Sequence, residues 1–207
     1  MVIPSLAVML NGAMSYLQAN LTALASVIGF TPVLPDEDGR ILVERAPKGP
    51  VLYLVGAAGK SVTLNSRRDP LAEARRLLDD GLGGRPLPPV LVLLGLGLGY
   101  VVDVVEERSP GTRIVAIEPE PSCVRPLLER RDFTALFASK RLLLLWGPDY
   151  RGSAEGWRFF EALDQSQVTI VHPVLSRESP AAFTAAANIL GDAACRDVEL
   201  DAAWLSE

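Results

Sequence analysis

The stretch that decides the fold spans residues 88–120 and reads PPVLVLLGLGLGYVVDVVEERSPGTRIVAIEPE. It opens with a continuous apolar run, Val90 to Leu94, which is typical of a parallel strand buried on both faces. Alternating glycines follow, and then a segment of helical length over residues 98–108 that ends at a Ser-Pro-Gly turn. A second apolar run, Ile114 to Ile117, leads into Glu118. This order predicts a β-α-β unit with a glycine turn and an acid roughly 20 residues later, which is the layout of dinucleotide-type sites.

The spacing of the glycines refines this prediction. A dinucleotide fingerprint requires a third glycine at position 100, where this chain has Tyr100. The remaining Gly-x-Gly-x-Gly pattern resembles the turn of S-adenosylmethionine-dependent methyltransferase folds, which implies that the turn faces a ligand and that Glu118 accepts hydrogen bonds from ribose hydroxyls. Those folds usually carry an acid two residues before the first glycine, where this chain has Leu93. The alternative is a turn that needs glycine only for close helix–strand packing. The candidate ligand-binding residues of the turn are Gly95, Gly97, Gly99 and Tyr100.

Composition narrows the class of protein. The chain has 207 residues, of which 49% are hydrophobic, so it can bury a sizeable core. Its net charge of −5 predicts no general attraction to nucleic acid. No charged side chain precedes Asp36, but polar residues interrupt this segment and no basic residue flanks it, so we expect neither a membrane span nor a secretory signal. One histidine and two isolated cysteines predict no metal site and suit a reducing, cytoplasmic location.

The first part of the chain has its own organisation. An apolar stripe over residues 13–28 predicts an amphipathic helix, which packs on its own domain or, as an open alternative, forms a homo-oligomer. Three short strand-like runs between residues 41 and 64 predict a small antiparallel β-meander. Asp69 and Pro70 then predict the start of a helix over residues 72–80. The glycine- and proline-rich residues 81–89 suggest a boundary, so we predict an N-terminal unit of residues 1–82 and an α/β unit of residues 83–207.

Strands and helices alternate from residue 90 to about residue 190. Strands are predicted at residues 90–94, 114–117, 141–146 and 168–171, which requires a mostly parallel sheet with helices on both faces, an α/β Rossmann-like fold. Ligands of such sheets bind at the carboxyl ends of the strands. Asp149 lies at the end of the third strand, where methyltransferase-like folds often face the adenine amino group, and a turn role is the alternative. His172 lies at the end of the fourth strand, either facing a substrate or capping the strand end by hydrogen bonding.

Three stretches of the sequence together resemble the motility-associated factor proteins, a bacterial family of flagellin glycosyltransferases. They are NSRRDPLAEAR at residues 65–75, LGLGLGY at residues 94–100 and IEPEP at residues 117–121. The resemblance covers roughly residues 20–190 and corresponds to the N-terminal domain of that family. In the family, transfer of a nonulosonic sugar from its CMP-activated donor to flagellin is attributed to the domain that follows. The resemblance therefore implies an accessory domain without catalysis of its own, whose partners are a downstream transferase domain or the flagellin acceptor.

Three functional hypotheses stay open at this point. The first is the accessory domain of a motility-associated glycosyltransferase. The second is an S-adenosylmethionine-dependent methyltransferase, favoured by the glycine spacing and Glu118 and opposed by Leu93 and by a sheet of four strands. The third is an interaction module that dimerises through its uncharged N-terminal segment. The ligand is correspondingly open between S-adenosylmethionine, a nucleotide and none.

Overall fold

The computed structural model describes residues 6–29, 31–36, 38–56, 59–146 and 168–193 of the chain. Asp149, the helix predicted over residues 153–163 and the tail after residue 193 lie outside these ranges. None of the helices within the described ranges is both long and apolar enough to cross a membrane.

The N-terminal part forms a helix, a three-stranded meander and a second helix. The elements are α1 (Leu6–Ile28), β1 (Ile41–Ala46), β2 (Gly49–Val55), β3 (Ser61–Thr63) and α2 (Pro70–Leu82). The three strands pair antiparallel in the order β1-β2-β3, which confirms the predicted meander. Helix α1 begins seven residues earlier than predicted, because no proline interrupts the chain between Pro4 and Pro32.

The second part alternates strands and helices, as the sequence predicts. Its elements are β4 (Val90–Leu94), α3 (Tyr100–Arg108), β5 (Arg113–Glu118), α4 (Val124–Arg130), α5 (Thr134–Ala138), β6 (Leu142–Trp146), β7 (Val168–Val171), α6 (Pro173–Glu178) and α7 (Pro180–Ala193). The four strands pair in parallel in the order β6-β5-β4-β7, which is the 3-2-1-4 order of a Rossmann-like sheet. Successive residues of β4 and β5 are buried, so both faces of the sheet are covered. The predicted α/β fold is therefore confirmed.

Helix α2 shows how the sequence sets the limits of an element. The Asp69 side chain accepts a hydrogen bond from the Ala72 amide at 2.9 Å, and Pro70 is the first helical residue. Gly83 ends the helix in the left-handed conformation. Gly81 belongs to the helix, where a side chain would come within 2.9 Å of Ile170 in β7, so the linker predicted from residue 81 begins only after residue 82.

One hydrophobic core joins the two predicted units. Helix α1 packs against α4 and α5, and α2 packs against α3 and β7. The apolar stripe of α1 contributes Leu17, Leu24 and Ile28 to this core, which confirms that the stripe packs on its own domain. A division of the chain into separate units at residue 82 stays a prediction.

A buried asparagine fixes α1 to the rest of the fold. Asn20 has no exposed surface, and its amide nitrogen donates to the carbonyls of Leu128 and Arg131 at 2.8 and 2.6 Å. Its side-chain oxygen accepts from the Phe133 amide at 2.8 Å. One side chain therefore satisfies three backbone groups around the end of α4.

Replacing Asn20 with alanine is expected to lower the free energy of unfolding by about 2 kcal/mol, because three buried backbone groups lose their partner. Urea unfolding followed by circular dichroism measures the change. Gln18→Ala is the matched control on the same helix, since Gln18 is exposed and its side-chain amide bonds Thr22 one turn along the helix. Equal costs for the two variants would contradict this role of Asn20.

Candidate functional site

The glycine turn, residues 95–99, lies at the carboxyl end of β4. Its three glycines have φ angles of +83°, +55° and +71°. Residues other than glycine rarely adopt these left-handed φ angles, so the conformation of the turn depends on the glycines at residues 95, 97 and 99. Helix α3 consequently begins at Tyr100, two residues later than predicted.

Gly95 is also a point of close packing. A β-carbon placed on it would lie 2.8 Å from His172 Cβ and 2.8 Å from Phe183 Cζ. The neighbouring strand end and helix α7 therefore sit directly on the turn. This confirms the packing role of the turn at Gly95, whereas contact between the turn and a ligand stays a prediction.

Glu118, at the end of β5, is bonded to the glycine turn. Its Oε2 atom accepts hydrogen bonds from the amides of Leu96 at 2.7 Å and Gly97 at 3.1 Å, and its Oε1 atom accepts from the Glu120 amide at 3.0 Å. The side chain has no exposed surface. Burial raises the pKa of Glu118 to about 7, because its effect outweighs that of the three hydrogen bonds from the backbone, which lower the pKa. A bond from Glu118 to a ribose therefore stays a prediction, and it requires this side chain to leave the turn.

Glu120, two residues further on, holds different partners. It is 4% exposed and forms an ion pair with Arg40, whose Nη1 atom lies 3.3 Å from Oε2. The hydroxyls of Ser122 and Ser179 donate to it at 2.9 and 3.0 Å. Glu120 thus connects β5 to the approach to β1 and to the segment between α6 and α7. No role is predicted for Glu120 from the sequence, where its signal is the second acid of the IEPEP stretch.

Tyr100 connects the glycine turn to the meander. Its hydroxyl donates to the Pro50 carbonyl at 2.9 Å, and the Arg131 guanidinium carbon lies 5.3 Å from its ring centroid. Asn65 donates to the same Pro50 carbonyl at 3.2 Å and accepts from the Leu52 amide at 2.9 Å. The position that departs from a dinucleotide fingerprint is therefore an anchor between two parts of the fold.

Removing the Tyr100 hydroxyl in a Tyr100→Phe variant is expected to lower the free energy of unfolding by about 1 kcal/mol, because it removes one partly buried hydrogen bond. Guanidinium unfolding of the two proteins provides the measurement. The matched control is Tyr53→Phe, whose hydroxyl bonds the exposed Glu44 and whose loss should cost less. If Tyr53→Phe costs as much or more, the anchoring role of Tyr100 is wrong.

The stretch at residues 65–75 builds the loop between β3 and α2. The Ser66 amide donates to Glu73 Oε2 at 2.6 Å, and the Ser66 hydroxyl accepts from the Asp69 amide at 3.2 Å. With the Asp69 cap, these bonds close the loop on the first turn of the helix. Asn65, Ser66 and Glu73 therefore bond the backbone of this loop and of β2. Three charged residues of the stretch pair with side chains elsewhere, namely Arg67 with Glu44, Asp69 with Lys48 and Arg75 with Glu107.

His172 follows β7 directly and caps the start of α6. Its Nδ1 atom accepts from the Leu175 amide at 3.2 Å, and its own amide donates to the Leu94 carbonyl at 2.8 Å. Burial lowers the pKa of His172 to about 4, although hydrogen bonds with the backbone, including that of Leu64, act in the opposite direction. The imidazole is therefore neutral at pH 7. The predicted hydrogen-bonding cap is present, but it lies at the start of α6 and not at the strand end, and a role facing a substrate stays a prediction.

A small cavity lies between the residue 65–75 stretch, the glycine turn and His172. Its volume is about 60 Å³, and its lining includes Asn65, Glu73, Leu96, Tyr100 and His172. Pockets for drug-sized ligands are several times larger, on the order of 300–1,000 Å³. This cavity has room for a few water molecules. Within the described part of the chain, no group of three or more histidine, cysteine, aspartate or glutamate side chains is placed to hold a metal ion.

The topology and the glycine turn together define an α/β protein of the Rossmann-like class. Comparison with protein-family models and with curated proteins gives no match. Among solved structures, the chain is similar to the MAf glycosyltransferase from Magnetospirillum magneticum AMB-1, with a TM-score of 0.51 and 14% sequence identity over 89% of this chain and 35% of that one. This chain thus spans about a third of that protein's length. A spermidine synthase in complex with the transition-state analogue AdoDATO aligns with a TM-score of 0.36 and 10% identity, over 74% of this chain and 63% of that one. At these identities the likeness to the glycosyltransferase indicates a shared fold.

Proposed function

We propose that this chain is the N-terminal accessory domain of a motility-associated protein glycosyltransferase and that it has no catalytic activity by itself. Two findings support the family. Three stretches of its sequence resemble the motility-associated factor proteins, and its fold resembles about a third of the MAf glycosyltransferase chain. The partner in this proposal is the transferase domain that uses the CMP-activated sugar, or the flagellin that receives the sugar.

The observation that carries the accessory role is that the three stretches form one bracing network. Asn65 and Tyr100 share the Pro50 carbonyl, which joins the meander to the glycine turn. Glu118 then joins the turn to β5, and Glu120 joins β5 to Arg40. Side chains that hold the backbone in place in this way support a platform rather than a reacting centre.

Deleting the coding sequence for these 207 residues in the source bacterium tests the proposal. We expect intact-mass spectrometry of flagellin to lose the mass of the sugar, and a plasmid carrying the wild-type sequence to restore it. Flagellin of unchanged mass in the deletion strain would overturn the assignment to flagellin glycosylation.

Isothermal titration separates the accessory role from the two ligand-binding alternatives. We expect the purified chain to give no binding heat with S-adenosylhomocysteine or with CMP. Micromolar binding of S-adenosylhomocysteine that is lost in Glu118→Ala would instead support a methyltransferase. Binding of CMP would locate the nucleotide-sugar function in this chain and would contradict the accessory role.

A further inference from the structure

The amides of the glycine turn hold a carboxylate that belongs to the chain itself. Glu118 Oε2 bridges the successive amides of Leu96 and Gly97, at 2.7 and 3.1 Å. Successive amides that converge on one oxygen form a backbone nest, a concavity that binds anions. The left-handed φ angles on either side of Leu96, at Gly95 and Gly97, give the backbone the curvature that this nest requires.

Apart from these backbone amides, few groups near Glu118 stabilise its negative charge. Within the described part of the chain, no lysine or arginine forms an ion pair with it, and Arg40 pairs with Glu120 instead. The neighbouring Cys123 is fully buried, and burial together with the two nearby carboxylates raises the pKa of its thiol, so the thiol stays neutral beside Glu118. The amides of Leu96, Gly97 and Glu120 are therefore the groups that stabilise the carboxylate.

We propose that the glycine turn is an anion-binding site that the chain fills with its own Glu118, and that an external carboxylate can take the place of the Glu118 side chain once it is removed. The ligand class is a small carboxylate whose two oxygens span the Leu96–Gly97 amides and the Glu120 amide. This inference holds whether or not the chain serves a glycosyltransferase, because it concerns only the turn and its occupant.

The variant Glu118→Ala makes the site testable with a matched ligand. The substitution removes Cγ, Cδ and the two oxygens, and acetate has the same four non-hydrogen atoms. Acetamide has nearly the same shape but carries no charge and only one acceptor oxygen. Comparison of acetate with acetamide therefore separates recognition of a carboxylate from simple filling of a cavity.

Thermal unfolding of the Glu118→Ala chain at pH 7, in acetate, acetamide and sodium chloride at matched concentrations, is the experiment. We expect acetate to raise the melting temperature saturably, by about 4 °C at ten times its half-saturating concentration, and acetamide and chloride to act alike and weakly. The wild-type chain and a Leu91→Ala variant, which opens an apolar cavity at the other end of β4, should show no effect specific to acetate. Equal effects of acetate and acetamide on Glu118→Ala would overturn the proposal.

A second measurement applies even if Glu118→Ala does not fold. Glu118→Gln keeps one acceptor oxygen, so it can serve either the Leu96–Gly97 pair or the Glu120 amide. We expect hydrogen exchange, followed by nuclear magnetic resonance, to be at least about tenfold faster than in the wild type at the amides that lose their acceptor. Unchanged protection of all three amides would show that Glu118 is not the occupant that holds the turn.

Discussion

Replacing Gly95 with alanine is expected to lower the free energy of unfolding by about 4 kcal/mol, since two costs add at this position. The first is the left-handed φ of +83°, which alanine disfavours. The second is overlap, because the new methyl group would lie 2.8 Å from both His172 Cβ and Phe183 Cζ. The phenyl tip can move, but His172 Cβ cannot, since the His172 amide is bonded to Leu94 and Pro173 starts α6 immediately afterwards.

A matched control separates the two costs. Gly84 has a φ of +79° but no atom within 4 Å of its would-be β-carbon, so Gly84→Ala incurs the backbone cost alone, about 1 kcal/mol. Phe183→Leu in the Gly95→Ala background should recover part of the loss by making room at the phenyl tip. Urea unfolding at pH 7 measures all four proteins. If Gly95→Ala costs no more than Gly84→Ala, the close packing of His172 and Phe183 on the turn is wrong.

The sheet could be predicted because its signals are local. Val90 to Leu94 and Ile114 to Ile117 are unbroken apolar runs, and a strand of this kind can only lie in a sheet covered on both faces. Turns rich in glycine and proline mark its ends, and right-handed crossovers between parallel strands then place helices on both faces of the sheet. The start of α2 was equally local, because Asp69 and Pro70 act on the residues that directly follow them.

The roles of the candidate site residues were less accessible, because they depend on contacts far along the chain. In the sequence, Tyr100 is only a departure from the dinucleotide fingerprint. Its role becomes clear in the structure, where its hydroxyl donates to the Pro50 carbonyl, fifty residues earlier in the chain. Asn20 is likewise one of several polar residues of an uncharged helix in the sequence. In the structure it donates to carbonyls more than a hundred residues away. Glu118 was placed correctly at the end of β5, but sequence spacing could not say that its carboxylate faces the turn. Helix α6 is not predicted, because it is only six residues long and begins at Pro173, almost directly after β7.

Substituting the two buried titratable groups beside the glycine turn is expected to expose opposite pH dependences of stability. His172 has a pKa of about 4 in the folded chain and an ordinary value of 6.5, so its contribution is present above pH 6.5 and is lost as the pH falls towards 4. Glu118 has a pKa of about 7 and an ordinary value of 4.5, so its contribution is present below pH 4.5 and is lost as the pH rises through 7. Each change amounts to about 3 kcal/mol, so in the wild type they largely cancel.

Conservative variants remove one titration at a time. His172→Asn keeps a side-chain oxygen that can accept from the Leu175 amide, and it leaves Glu118 as the titrating group. The free energy of unfolding of this variant should therefore fall as the pH rises from 4.5 to 7. Glu118→Gln leaves His172, and its free energy of unfolding should rise over the same range. Urea unfolding at half-unit steps of pH measures both slopes.

The double variant His172→Asn/Glu118→Gln tests whether these two groups account for the slopes of the single variants. With both groups removed, the slope between pH 4.5 and 7 should return close to that of the wild type, although the double variant is less stable at every pH. Other carboxyl groups titrate below this range and contribute equally in all four proteins. Asp69 is an example, because its hydrogen bonds with Lys48 and with the Ala72 amide hold its pKa below the usual value. Slopes of the same sign in the two single variants would contradict the assignment of a neutral histidine and a proton-binding glutamate on either side of the turn. Opposite slopes would show that Glu118 and His172 lie on either side of the glycine turn and that burial disfavours the charged form of each.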